Sequence, residues 1–483
     1  DYIKNSGKFP QAKTLTLEWV GLFPGKRESR RFNGLYTLTQ QDVINQSIHY
    51  DAVAYGGWAI DLHPADGVYA GGNGCHQWHS KGVYQIPYRC YVTPDLDNLF
   101  VGGRIISSSH VANGTTRVMC TSALGGEVIG RAASICLSKG YKPIDLVDRD
   151  RIGLLQSLLV KNGNFIPGIA VAVEDNLADS AEISVSSVLE LDDLPADGTW
   201  FGLDYPIAQL IPVNGKVPVV RMNVKADNAT RLVMELRSSS KSENYTPDTI
   251  DAVLEFDLKK DENEIVADFS YSYATPRYAF ICLMKNPEIS VPMSGRLVTG
   301  LTAVYNYINP AVSNFGKQVP PEGIGVEEFE FWCPKRRPES KNIAMSFAPP
   351  LASFNSENLR NSYYRPYIGT NAWVAAFDDA RPEVCFKWNG RKQIKTIILY
   401  FDTDTDQAME TVQMGHFDAC VPTCYREYIV RDSVGKELYH ITGNHQTLNV
   451  LELDQPVTTD AIYVNFVRPC GDVCPGLMGV YVC

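Results

Sequence analysis

From Pro167 onward the apolar residues of this chain recur at roughly every second position, and that period is the strongest constraint on its fold. Residues 181–186 (AEISVS), 217–224 (VPVVRMNV), 230–236 (TRLVMEL), 252–258 (AVLEFDL) and 278–284 (YAFICLM) alternate in this way. Clusters of Gly, Pro, Asn and Asp separate them. Short strands punctuated by turn signals predict a β-sandwich. Residues 334–341 (PKRRPESK) are charged and Pro-rich and read as a linker. The strand pattern then resumes at 394–401 (IKTIILYF), 428–432 (YIVRD), 437–441 (ELYHI) and 461–467 (AIYVNFV). The expected units are therefore a β-sandwich over 167–334 and a second over 342–483. Upstream, Ile144, Leu146, Ile152, Leu154, Leu155, Leu158 and Leu159 fall at near-helical spacing, so residues 141–166 read as a helical linker. Residues 1–140 form a separate region, rich in Gly, His and aromatics.

Composition removes several function classes. Lys and Arg total 44 against 55 Asp and Glu, a net charge of -11. A chain this acidic repels phosphate backbones, which argues against a general nucleic-acid binder. No run approaches the roughly 18 apolar residues of a membrane span. The longest candidate, residues 152–173, is broken by Lys161, Asn162, Gly163, Asn164 and Pro167. Residue 1 is Asp, and no basic and apolar leader follows, so the chain is expected to be a mature product or a piece of something longer. Its twelve cysteines are too dilute for a disulfide scaffold. Cys420/Cys424 and Cys470/Cys474 make two CxxxC pairs, which with Cys385 and Cys483 are candidates for disulfides closing the last unit; a four-thiolate zinc site is the alternative.

Residues 96–139 carry the densest chemical signal. A short strand, 99–101, ends in Gly102-Gly103, where backbone can approach a ligand closely. A loop over 107–116 leads into a helix bearing Gly125, Gly126 and Gly130. Glycine costs about 0.8–1 kcal/mol per helical position relative to alanine. Three in one helix call for close packing or for main-chain contact with a ligand. The expected helix start, near 115–117, would present unpaired N–H groups and a positive dipole end.

This strand-Gly-Gly-Arg, Ser-rich loop, Arg117 and small-residue helix resembles the C-terminal flavin-binding segment of the FAD-dependent oxidoreductase family. Residues 26–42 (KRESRRFNGLYTLTQQD) match its E-S-R-R-x-x-G-x-Y-x-L-x-x-x-D element, and residues 56–64 (GGWAIDLHP) its G-G-x-x-x-D-x-H element. Both precede an I-P-Y-R strand, here 86–89, and a D-N-L-x-x-x-G-R segment, here 97–104. Family members open with a strand-GxGxxG-helix that holds the FAD pyrophosphate. No GxGxxG occurs in this sequence, and neither does a P-loop, HExxH or GxSxG. The resemblance therefore implies the C-terminal part of a flavoenzyme whose dinucleotide-binding half lies elsewhere. The expected fold class is multidomain and mostly β: a truncated α+β flavoprotein remnant followed by two jelly-roll-like β-sandwiches. Residues 342–483, with the Asn-Ala-Trp run 371–373, resemble a discoidin-like module of the kind appended to carbohydrate-active or surface enzymes.

The resemblance implies FAD in the intact enzyme, with Gly102, Gly103, Arg104, Arg117, Gly125 and Gly126 on the flavin and His63 and Arg89 facing substrate. Where related flavoproteins place an acidic residue after the Gly pair, this sequence has Arg104. His63 is a candidate proton donor or substrate contact; the plain alternative is a loop histidine bonded to a carbonyl. Arg27, Arg30 and Arg31 would bind a carboxylate or pyrophosphate, or else form a network with Glu28. The run 75–79 (CHQWH) lacks a fourth ligand nearby, so no metal is expected, and Trp78 reads as a lid. Hydride transfer between an unidentified substrate and flavin is the expected chemistry. The alternative is a non-catalytic carbohydrate- or partner-binding β-sandwich protein. The β modules and cysteines point toward export.

Overall fold

In a computed structural model, the structure describes residues 2–23, 26–71, 74–244, 246–307, 316–318, 325, 329–334, 341–403, 423–471, 473–474 and 476–483. The chain divides into two compact units, residues 1–30 and 31–483. The small unit holds a helical turn, Tyr2–Asn5, and a 3-10 turn, Pro10–Thr14. Lys4 Nζ donates to the Leu15 carbonyl at 2.8 Å. Beyond that turn Leu15, Leu17, Trp19, Val20, Leu22 and Phe23 are all exposed.

The large unit begins with an α+β region. The antiparallel pair Ala52–Gly56 and Tyr84–Pro87 lies under the helices Met119–Lys139 and Arg149–Lys161. Val53, Ile86, Val128, Ala132, Ile152, Leu155 and Leu159 share one core. Within 141–166 the chain forms a 3-10 turn, Pro143–Val147, and the helix Arg149–Lys161, and this segment packs into the core rather than bridging two units. Its apolar stripe is buried in that core, and Gln156 Nε2 donates to the carbonyls of Tyr50 and Ala52 at 3.0 and 2.9 Å. Asp148 caps the helix by accepting from the amides of Asp150 and Arg151. Val160 and Ile166 continue into the core of the next layer.

Two antiparallel sheets make the middle sandwich. One is ordered Thr249–Leu258, Thr230–Ser238, Arg277–Leu283, Ile207–Val213, Ala303–Tyr305 and Cys333–Pro334. The facing sheet is built on Asn286–Ser294, Val219–Ala226, Met345–Leu351 and Leu191–Leu194. Val219–Ala226 alternates between buried and more open positions, as a sheet with one wet face must. Ile207–Val213 is buried at every position; Ala208 and Leu210 on its second face share an apolar cluster with Tyr278 and Phe280 of the neighbouring strand and with Trp332.

In the last sheet, Glu383–Tyr400 and Leu448–Pro469 pair along most of their length, with register breaks between Lys387 and Lys392 and between Ile394 and Thr396. Such breaks bend strands and sharpen their twist. Val384 and Phe386 before the breaks, and Ile397 and Leu399 after them, enter the same core, so one folded-over sheet supplies both of its layers.

The boundaries drawn from sequence do not coincide with these layers. Glu182–Val185 pairs with Glu383–Tyr400 in the last sheet, although it lies within 167–334. Met345–Leu351 sits between Val219–Ala226 and Leu191–Leu194 in the middle sandwich, although it lies within 342–483. The two sandwiches thus share strands: each takes up a segment that lies next to the other in sequence. Buried Gln209 locks the exchange, accepting from the Ile343 amide at 2.8 Å and donating to Asn342 Oδ1 at 3.0 Å. Cys424 and Cys470 are adjacent through a main-chain bond from the Cys470 amide to the Cys424 carbonyl at 2.9 Å. Cys420 lies outside the described residues.

Candidate functional site

Motif segments far apart in sequence are joined by main-chain hydrogen bonds. Leu35 N donates to Val92 O at 2.9 Å, Tyr36 N to Arg89 O at 3.3 Å and Leu38 N to Ser107 O at 3.1 Å. The Ser109 amide returns to Leu38 O at 2.8 Å. Gly34 sits at the crossing. A Cβ there would lie 2.8 Å from Arg89 O and 2.9 Å from Ser107 Cβ, so only a bare backbone fits. Thr39 and Asp42 then form a capping box that starts the helix Gln40–Asn45. Tyr36 Oη donates to Asp42 Oδ1 at 2.9 Å. Burial raises the Asp42 carboxyl, but bonds from the Thr39 amide and hydroxyl and from Tyr36 outweigh it and hold the group below its ordinary range.

The GGWAIDLHP segment folds as a hairpin, Ile60–Leu62 against His76–Trp78. The helix His110–Thr116 lies across it, with Gly114 placed so that a Cβ would stand 3.1 Å from the Asp61 main chain. Asp61 Oδ2 receives Arg117 Nη2 at 3.3 Å and faces His63 Nε2 at 3.0 Å. His63 Nδ1 faces the Gly74 carbonyl at 2.9 Å. Thr115 Oγ1 donates to the Trp58 carbonyl at 2.6 Å. Trp58 Nε1, Asp61 Oδ1, Asn113 Oδ1 and Thr116 Oγ1 are buried with no hydrogen-bond partner among the described residues. Unsatisfied polar atoms cost about 1–3 kcal/mol each when buried, so their grouping on this hairpin and helix is a feature to explain.

Several sequence expectations are corrected. Residues 110–116 are a helix, not a loop, with Ser109 as its cap. The long helix starts at Met119, and Arg117 caps the end of the preceding helix rather than heading the glycine-bearing one. Leu99–Val101 does not form a strand; Phe100 makes only an isolated bridge to Val92. Gly102 and Gly125 are filled by protein: a Cβ would lie 2.6 Å from Ile129 Cδ1 and 2.8 Å from the Tyr91 ring, respectively. Gly103, with φ +65°, Gly126 and Gly130 have nothing within 4 Å of that position. Arg104 is exposed, and its carbonyl accepts from Asn113 Nδ2 at 3.2 Å.

Arg89, expected to face substrate, is held instead by Asp51, through Nε to Oδ2 at 2.9 Å and Nη2 to Oδ1 at 3.0 Å. Its guanidinium lies over the rings of Tyr36 and Tyr50. Asp51 is wholly buried and belongs to no motif, so sequence reasoning passed over it. Trp78 is buried and stacks on His76 rather than acting as a lid. Burial pushes the His79 ring down to about 3, so it is neutral. Among the described residues no group of His, Cys, Asp or Glu is arranged to hold a metal ion.

The fit to FAD is one-sided. Gly103, Gly126 and Gly130 leave main chain open, and the unsatisfied atoms around Asp61 leave polar groups that a ligand could pair. Nothing in the sequence supplies the glycine motif that cradles a pyrophosphate.

Residues 2–159 match the model of the FAD dependent oxidoreductase family. No curated protein matches the chain. Its structure is similar to the family 32 carbohydrate-binding module of Streptococcus pneumoniae EndoD, at 10% identity and TM-score 0.21 over 27% of this chain and 86% of that one. It is also similar to chitosan-binding module 1 from a chitosanase/glucanase of Paenibacillus sp. IK-5, at 11% identity and TM-score 0.21 over 27% and 86%. A third similarity is to the family 32 module of C. perfringens NanJ in complex with galactose, at 12% identity and TM-score 0.19 over 28% and 83%. The β architecture itself rests on the strand pairings described above. No helix among the described residues is long and apolar enough to cross a membrane.

Two stability measurements test this site. Gly34→Ala is expected to cost about 1–3 kcal/mol, since main chain blocks the added carbon; an unchanged urea midpoint would contradict the crossing. The Asp42 carboxyl is held below its ordinary value, so its stabilisation is complete above the ordinary carboxylate range and fades as pH falls through the folded value. Asp42→Asn should therefore destabilise the chain by about 1–3 kcal/mol at neutral pH, seen as a lower urea midpoint, and the gap from the parent should close in acid. A gap independent of pH would contradict the assignment.

Proposed function

We propose that the region matched by the family model, residues 2–159, is the C-terminal portion of an FAD-dependent oxidoreductase, catalysing hydride transfer between an unidentified substrate and flavin in the intact enzyme. The observation that carries this reading is the crossing at Gly34, which draws the ordered motif segments into one body beside the Asp61–His63–Arg117 group. Bound FAD supplies the hydride acceptor or donor. Gly103, Arg104 and Gly126 would meet the flavin with exposed main chain, and Arg117 would approach it from the Asp61 side. Gly102 and Gly125 back this surface by letting Ile129 and Tyr91 close in. His63, whose Nε2 lies 3.0 Å from Asp61 Oδ2, would be the group that exchanges a proton with substrate. Arg89 contributes by fixing Tyr36 and Tyr50 around Asp51, a positioning role. A separate dinucleotide-binding part carrying GxGxxG would hold the pyrophosphate, and an exported location is part of the same reading.

A second reading, carbohydrate or partner binding by the β modules, is favoured by a groove of about 680 Å³ between the two sandwiches, lined by side-chain amides together with prolines.

FAD titration of the purified chain, followed by flavin fluorescence, tests the first reading. Alone, the chain should bind FAD weakly or not at all and remain colourless. With a polypeptide bearing GxGxxG it should retain yellow flavin, and Arg117→Ala should weaken that retention roughly tenfold. Tight stoichiometric binding by the chain alone would contradict the division of the site. Failure in both arms would remove the flavin reading.

A further inference from the structure

The groove between the sandwiches is built from both. Asn214 and Lys216 stand on the middle sandwich, and Asn355, Asn361, Tyr363 and Tyr367 on the segment that leads into the last sheet. That segment is held rigidly by its own amides. Asn358 Nδ2 donates to the carbonyls of Ser353 and Ala372 at 2.9 and 2.8 Å. Asn371 Nδ2 donates to those of Arg365 and Tyr367 at 3.0 and 2.8 Å, and Asn361 Nδ2 to Asn371 Oδ1 at 2.8 Å. The backbone is strained here as well. Ser362, Ile368 and Asn371 adopt left-handed φ of 60°, 64° and 51°. For a β-branched residue such as Ile368 this conformation is a true outlier, and strain of this kind gathers where a surface is shaped for a ligand.

The chemistry of the walls selects among ligands. No Asp or Glu is among the described lining residues, and Lys216 is the one charged group there. A phosphate-bearing or strongly anionic ligand would find a single exposed ammonium. A purely apolar ligand would bury amides and hydroxyls without replacing their water, at a cost. A neutral polyhydroxylated ligand meets neither objection. Asn214 and Asn355 are exposed at the rim, and each amide can donate to and accept from hydroxyl groups. The half-buried ring of Tyr363 and the exposed prolines Pro276, Pro349 and Pro350 offer apolar surface for C–H groups. The volume falls within the ordinary range of ligand sites, and a seam between modules is a favoured place for one.

We infer that this groove binds a neutral oligosaccharide, held across the seam by Asn214 on one side and Asn355 and Tyr363 on the other. The inference rests on the carbohydrate-binding reading above and gives that reading a location. A ligand gripping both walls also ties the two sandwiches together, so occupancy raises the unfolding temperature.

The full chain is tested on an array of neutral oligosaccharides, with sialylated and sulfated glycans alongside, and the strongest neutral binder is then titrated calorimetrically. Asn214→Ala and Asn355→Ala, both exposed positions, should each weaken binding about tenfold with no change in the Tm of the free chain. Trp200→Ala, in the separate cavity bounded by Asp193 and Arg221, should bind as the parent does. Neutral-glycan binding that all three variants retain would overturn the groove while leaving the carbohydrate reading in place. Binding confined to the anionic glycans would overturn the neutral assignment. No binding to any array member would remove the reading and the groove together.

Discussion

One missing side chain holds the N-terminal region together. Gly34 lets the main chain of 32–38 pass within bonding distance of both 89–92 and 105–109, and no larger residue could occupy the crossing without pushing one of them away. Main-chain bonds in a buried setting must be made or their loss is costly. Everything chemically interesting in this region hangs on those strands. Tyr36 reaches Asp42 and flanks Arg89, Arg89 closes over Asp51, and Ser109, bonded back to Leu38, caps the helix that sets Gly114 against Asp61. The Asp61–His63–Arg117 group is thus positioned by packing that begins at Gly34.

The β modules are tied to this region and to each other. Gln46 Nε2 meets Asn244 Oδ1 at 2.7 Å, and Lys241 Nζ meets the Asn45 carbonyl at 2.7 Å, so the middle sandwich grips the helix that Thr39 and Asp42 cap. Tyr400 Oη donates to the Lys161 carbonyl at 2.6 Å, and Lys161 Nζ to Tyr481 Oη at 2.8 Å, joining the last sheet to the helix Arg149–Lys161. With strands exchanged between the sandwiches, a change at the seam is felt across residues 31–483. A groove at that seam is well placed to couple ligand occupancy to the stability of the whole unit.

Strand positions were legible wherever one face of a sheet is wet. Val219–Ala226 and Tyr425–Asp432 each contain or overlap a run whose alternation predicted it; Thr230–Ser238 was predicted as well, although it is buried from Met234 onward. Ile207–Val213 was not legible, because both its faces are covered and its residues show no period. Asn286–Ser294 was hidden by Pro287 and Pro292, which read as turn signals although the strand keeps them. Residues 181–186 read as a strand, but that Glu182–Val185 joins the last sheet was beyond reach, as was Met345–Leu351 in the middle sandwich, since nothing local says which sheet completes them. In the site, the motif pattern carried His63, Asp61 and Arg117, but not the use of each glycine. Gly102 and Gly125 serve packing, while Gly103 and Gly126 remain open, a distinction only the neighbours Ile129 and Tyr91 decide. Arg89 looked free because its partner, Asp51, sits in no recognisable pattern.

The most direct measurement is photo-labelling with an azido-flavin analogue of FAD, in the presence of a polypeptide carrying the dinucleotide-binding glycine motif, followed by peptide mapping. The label should fall on the peptides around Gly103–Arg104 and Gly126–Gly130. Label confined to the β-sandwiches, or spread evenly along the chain, would contradict a flavin-facing surface at the open glycines.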